Sequence, residues 1–156
     1  MSVCAHNPAY QVAAWLVFPT EESQVRSHRV SAPGEAMKER LVAGKLGSNG
    51  WNRWQYFLNN FSGRWGDEGQ QPVSPRSQES MLKALEILDF PPTTHPSLFL
   101  TDNGYFEVAW SDREGKAIQI EFGPNEFELY VEAEGIEGTY PNAEMAGVIL
   151  KHIPRD

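Results

Sequence analysis

The most regular pattern of apolar and polar positions runs through residues 97–132, SLFLTDNGYFEVAWSDREGKAIQIEFGPNEFELYVE. Phe106, Val108 and Trp110 alternate with Glu107 and Ala109; Ile118, Ile120 and Phe122 alternate with Gln119 and Glu121; Phe127, Leu129 and Val131 alternate with Glu128 and Tyr130. A period of two predicts strands buried on one face and wet on the other. Three turn signals divide the stretch. Asn103-Gly104 tolerates positive φ and marks a hairpin. Arg113-Glu114-Gly115 suits a three-residue loop with Gly115 left-handed, and Gly123-Pro124-Asn125-Glu126 suits a four-residue loop. The expected strands are 97–101, 105–112, 116–122 and 127–132, joined as an antiparallel meander.

Loop length sets register. The second loop places Trp110 opposite Ile118, Val108 opposite Ile120 and Phe106 opposite Phe122; the third places Phe122, Ile120 and Ile118 opposite Phe127, Leu129 and Val131. Every pair is apolar. A slip of one residue would bury the glutamates, so this register is strongly favoured. The first hairpin leaves two alternatives: a two-residue loop buries Phe99, and a three-residue loop buries Leu98 and Leu100.

Upstream, residues 1–92 read as mainly helical. Residues 9–18, AYQVAAWLVF, fit either a strand or a short helix and favour the strand; residues 20–34 read as a loop with Pro33-Gly34. Residues 35–46 predict a helix ended by Gly47, with Met37, Leu41 and Leu46 inward. Trp51, Trp54, Leu58, Phe61 and Trp65 then recur at helical spacing and form one apolar stripe. Ser74 followed by Pro75 is a helix start, Met81, Leu82, Leu85 and Leu88 form a buried face, and Pro91-Pro92 stops the helix. A last helix is expected over 142–152, with Met145, Val148, Ile149 and Ile153 packing on the sheet.

These elements specify an α+β fold: a four-stranded antiparallel β-meander with helices packed on one face, in a single domain spanning 1–156. The expected core comprises Trp51, Trp54, Phe57, Phe61, Leu82, Leu85, Phe106, Val108, Trp110, Ile118, Ile120, Phe122, Phe127, Leu129 and Val131. At 40% hydrophobic residues the chain is not a disordered one, and no apolar run approaches the ~20 residues that span a bilayer. The start of the chain reads as no secretory signal, since it lacks a basic segment ahead of its apolar run. A single cysteine, Cys4, forms no internal disulfide, which suits the cytoplasm.

Charge changes the picture of the outer face. Residues 101–138 hold ten acidic and two basic residues, so this one segment carries the whole net charge of −8. The same register that buries the apolar rows sets Glu107 opposite Glu121 and Glu121 opposite Glu128, with Gln119, Tyr130 and Glu132 beside them. Like charges directly opposed across strands destabilise a sheet. Such a row is either a solvated face that blocks aggregation or a surface for a basic partner. A field of this sign repels phosphate backbones and argues against nucleic acid as a partner.

Catalytic signatures are missing. The sequence has no phosphate-binding glycine motif, no H-E-x-x-H, no C-x-x-C and no nucleophile elbow. Cys4 and His6 are one pair near a terminus, too little for a metal centre. Glu114-Gly115-Lys116 matches half of a nuclease metal motif, with Asp102 or Asp112 upstream, but it falls at an expected hairpin tip, where Gly115 serves the turn and Asp112 with Lys116 reads as a cross-strand charge pair. The glutamate row lies on an open face with no chelating loop. No catalytic residue, cofactor or metal is therefore assigned.

Pro96-Ser97-Leu98-Phe99-Leu100-Thr101-Asp102, followed by Gly104, Trp110 and Glu121-Phe122-Gly123-Pro124, resembles a pattern in small bacterial proteins. In these a proline and a short apolar strand lead into an Asp-Gly turn and a strand ending in tryptophan. The resemblance covers roughly residues 50–132 and implies a place beside toxin–antitoxin or phage-defence genes. It carries over no catalytic residue.

The leading expectation is a non-enzymatic binding protein of antitoxin, immunity or inhibitor type. It would present Glu107, Gln119, Glu121, Glu128, Tyr130 and Glu132 to a basic protein surface. The rival is an enzyme or small-ligand binder with a cleft at Trp51, Trp54 and Trp65. A third reading is an accessory subunit of a bacterial assembly.

Overall fold

A computed structural model describes residues 33–61 and 69–155. The expected strand at 9–18, Cys4, His6 and Trp65 lie outside these described residues. Helix α1 (Pro33–Phe61) consists of two helical segments broken at Gly47, whose φ of 77° and ψ of 179° suit only glycine. The break falls where the sequence reading ends its first helix. Helix α2 (Pro75–Ile87) begins as expected: the Ser74 Oγ accepts a hydrogen bond from the Ser77 N–H at 3.2 Å, and Pro75 occupies the first turn. A 3-10 turn at Asn142–Glu144 leads into helix α3 (Met145–His152), so the regular helix is shorter than the 142–152 span read from the sequence.

The sheet has five strands, one more than the sequence predicts: β1 (Ser97–Leu100), β2 (Phe106–Ser111), β3 (Ala117–Phe122), β4 (Glu126–Val131) and β5 (Ile136–Pro141), in the order β1-β2-β3-β4-β5 with antiparallel neighbours. The additional strand, IEGTYP, was hidden by composition. Glycine and proline are poor strand formers, and Gly138 stands where the alternation calls for an apolar side chain. The Tyr140 ring fills that gap, lying against Gly138 and stacking on Phe127 with centroids 5.7 Å apart. A 3-10 turn at Glu132–Glu134, closed by left-handed Gly135 (φ 63°), reverses the chain into β5.

The register of β2, β3 and β4 is the predicted one at every pair. In the first hairpin, the three-residue alternative holds: Leu100 pairs with Phe106, and Leu98 pairs with Val108 and is fully buried. The reason lies in the turn. The two-residue loops of the favoured twist all need positive φ at their first central residue, Asn103, and only Gly104 has it, at 77°. Phe99 therefore joins the outer face beside Glu107. The Arg53 guanidinium, from α1, lies over the Phe99 ring at 5.1 Å and the Phe57 ring at 5.5 Å, a cation–π arrangement at the β1 edge.

The helices pack on the apolar face of the sheet: α1 against β1 and α2, α2 against β2 and β3, and α3 against β5. Trp54 is buried to 1% exposure and stacks on Phe106, centroids 5.0 Å apart. Phe90 meets Trp110 edge-on at 4.9 Å. Trp51, Phe57, Phe61 and Leu82, read as core from the sequence, are only half-buried and pack around this centre. One polar tie crosses the core: the Oγ of fully buried Ser77 accepts the Phe106 N–H at 2.8 Å and fastens α2 to β2. Among the described residues, no helix is long and apolar enough to cross a membrane.

Candidate functional site

With the helices on one side, no described element covers the other side of the sheet, and its rows follow from the pairings. One runs Phe99–Glu107–Glu121–Glu128–Thr139; the next runs Ser97–Ala109–Gln119–Tyr130–Glu137. Three carboxylates thus stand side by side on three adjacent strands, and a fourth, Glu137, stands one row away on β5. Right-handed twist makes the face of a sheet concave along one diagonal. Here it forms a depression of about 550 Å³ lined by Glu107, Gln119, Glu121, Glu128, Tyr130, Glu137 and Thr139.

Position along the row sets the electrostatics. Glu107 lies on the second strand from one edge and Glu121 on the central strand, and both are partly buried. Burial raises the Glu107 pKa; the neighbouring Glu128 charge adds to the rise, while a hydrogen bond with Gln119 works against it. The Glu121 pKa is also raised by burial and then by the charges of Glu128 and Glu107 on either side. No described cation pairs with Glu107, Glu121, Glu128 or Glu137. Ion pairs form elsewhere, as in Lys45–Asp89 at 3.2 Å and Lys83–Glu79 at 3.0 Å.

The raised values carry a stability consequence. A carboxyl group whose folded pKa exceeds its unfolded value holds its proton longer in the folded state. The folded protein then loses stability as pH rises from the ordinary carboxylate range through the raised values. Replacing the row in an E107Q/E121Q/E128Q variant should flatten this fall. At neutral pH the variant should be more stable by roughly 0.2–1 kcal/mol for each of the two neighbouring pairs. Urea unfolding across that pH range checks it; a variant with the slope of the native protein would show that these carboxyl groups are not raised in the folded state.

One residue of the predicted surface, Glu132, stays exposed but has its carboxylate engaged within the chain. Glu132 sits at the start of the 3-10 turn, where its Oε2 accepts the Ala117 N–H at 2.7 Å, so this carboxylate closes the end of β3. Glu137 was missed with its strand, although Ile136, Gly138 and Tyr140 alternate with Glu137, Thr139 and Pro141 in the sequence. Of the tryptophan stripe, Trp54 is packed in the core and Trp51 is half-buried.

The other candidate chemistry is taken up by turns. Glu114-Gly115-Lys116 forms the tip and exit of the second hairpin, with Gly115 at φ 80°. The Asp112 carboxylate accepts the backbone N–H groups of Glu114 at 2.8 Å and Lys116 at 2.9 Å. Asp112 thus bonds the Lys116 backbone, in place of the side-chain charge pair read from the sequence. Among the described residues, no group of three His, Cys, Asp or Glu side chains is arranged to hold a metal ion. No family model matches the chain, and no curated protein or solved structure matches it.

Proposed function

We propose that the chain is a non-enzymatic protein-binding module, of antitoxin, immunity or inhibitor type, acting in the bacterial cytoplasm. Its open acidic sheet face docks on a basic surface of a partner protein. The observation that carries this reading is the row Glu107–Glu121–Glu128, with Glu137 beside it, unpaired by any described cation and set in a concave face opposite the helices. Lysine and arginine side chains of a partner would relieve repulsion within the row as they bind. Phosphate backbones would be repelled by the same field. Glu107, Gln119, Glu121, Glu128 and Tyr130 are the binding residues, with Glu137 added. The single cysteine and the resemblance to small bacterial proteins support the setting.

The test has two stages. Affinity capture from the native host, read by mass spectrometry, identifies the partner. Stopped-flow association with that partner then compares the native chain with E107Q/E121Q/E128Q. Complementary charge acts mainly on the association rate. The Debye length shrinks from about 30 Å at 0.01 M salt to about 8 Å at 0.15 M. The variant should therefore associate roughly tenfold more slowly at low salt, and the gap should narrow as salt is added. An unchanged rate at low salt overturns the reading and leaves the row a solvated face.

A further inference from the structure

The acidic row runs across the sheet toward the β5 edge, and among the described residues that edge has a defined set of backbone groups without a partner. The Asn142 N–H donates to the Asn125 carbonyl at 3.0 Å, so these two residues form a hydrogen-bonded pair at the end of the β4–β5 ladder. Hydrogen-bonded and non-hydrogen-bonded pairs alternate along antiparallel strands. Phe127/Tyr140, Leu129/Gly138 and Val131/Ile136 are then hydrogen-bonded pairs, and Glu128/Thr139 and Tyr130/Glu137 are not. Glu137 and Thr139 accordingly direct their N–H and C=O groups away from β4. Pro141, the next position of the same phase, has no N–H and terminates the edge. Among the described residues, no strand pairs beyond β5.

The two residues whose backbone is free are also the two whose side chains belong to the acidic face. A strand added at this edge would place its own side chains opposite Glu137 and Thr139, continuing the rows that pass through Tyr130 and Glu128. Cationic residues at those positions meet Glu137 directly and extend toward Glu128. The intervening residues fall on the helix side, beside half-buried Ile136 and Tyr140, where apolar side chains fit.

We infer that the partner segment is an extended strand, alternating cationic and apolar residues, that pairs with β5 and lays its cations along the acidic face. This rests on the function proposed above and specifies its geometry: strand addition in place of contact between two folded surfaces. A second copy of this chain is a poorer occupant, because β5 pairing with β5 brings two acidic faces together.

The probe is a blocked hexapeptide alternating lysine and valine, titrated into the 15N-labelled full chain. In the antiparallel register that this inference specifies, the lysine amides bond to β5 and the valine amides point away. The peptide should slow hydrogen exchange at the Glu137 and Thr139 amides at least tenfold. N-methylation of its lysine amides should weaken binding at least tenfold, and N-methylation of its valine amides should not. Equal binding by the two methylated peptides overturns strand addition. The acidic-face reading then survives if E107Q/E121Q/E128Q weakens both. Conversely, if that variant binds the unmodified peptide as tightly as the native chain while the lysine-methylated peptide stays weak, the acidic-face reading fails and the edge remains. Binding of no peptide at millimolar concentration overturns both. Concentration-dependent dimers that protect the same two amides without peptide overturn the inference in favour of a second copy.

Discussion

Truncating Trp54 to alanine is expected to lower the unfolding free energy by about 3–5 kcal/mol, the range for large aromatic side chains removed from a packed core. Trp54 is 1% exposed and stacks on Phe106, and the Phe57 ring lies 6.3 Å from the Phe106 ring. Removing the indole leaves a void between α1 and β2 that rigid neighbours cannot close. Urea denaturation followed by circular dichroism measures the loss. The same experiment on Trp51→Ala gives a comparison, because Trp51 is only half-buried and should cost less. A Trp54→Ala chain of unchanged stability would mean that the indole serves a ligand and not the core.

Gly104→Ala should be the more damaging of two glycine substitutions that share a backbone conformation. Gly104 and Gly115 both close hairpins at positive φ, 77° and 80°. Strain alone would make each alanine unfavourable by about 1–2 kcal/mol. At Gly115 a Cβ would meet open space, whereas at Gly104 it would overlap the Pro72 carbonyl oxygen. That carbonyl is held in place: on either side of it the Gln71 N–H donates to Asp102 O at 2.9 Å and the Ser74 N–H to Gly104 O at 2.9 Å. Overpacking against fixed backbone typically adds 1–3 kcal/mol, so Gly104→Ala is expected to cost at least about 2 kcal/mol. Thermal unfolding of both variants separates strain from collision. Equal losses would show that the loop ahead of α2 yields to the methyl group.

Both effects bear on the acidic face, because the hairpin and the Trp54 contact hold β1 and β2 in the sheet that presents Glu107. A partner-binding test of either variant would therefore mix stability with recognition. The glutamine variant avoids this, since its effect on folding has the opposite sign to its effect on association.

Alternation and turn chemistry were enough, in the sequence itself, to determine strands β2 to β4, their register and the glutamate row. The physical reason is that a one-residue slip would exchange Ile118, Ile120 and Phe122 for Gln119 and Glu121 in the core, and no turn residue could offset that. Ser74-Pro75 and Gly47 likewise marked helix boundaries through local stereochemistry. Long-range packing decided the rest. Strand β5 exists because β4 offers a ladder and the Tyr140 ring covers Gly138, a compensation that neither residue announces by type. The three-residue first hairpin, which moves Phe99 to the outer face, depends on how Asp102 and Gly104 dock against residues 71–74. With β5 came Glu137 and the open edge beside the acidic row. Periodicity records which side of a strand is wet, but only the assembled sheet shows which strand is last.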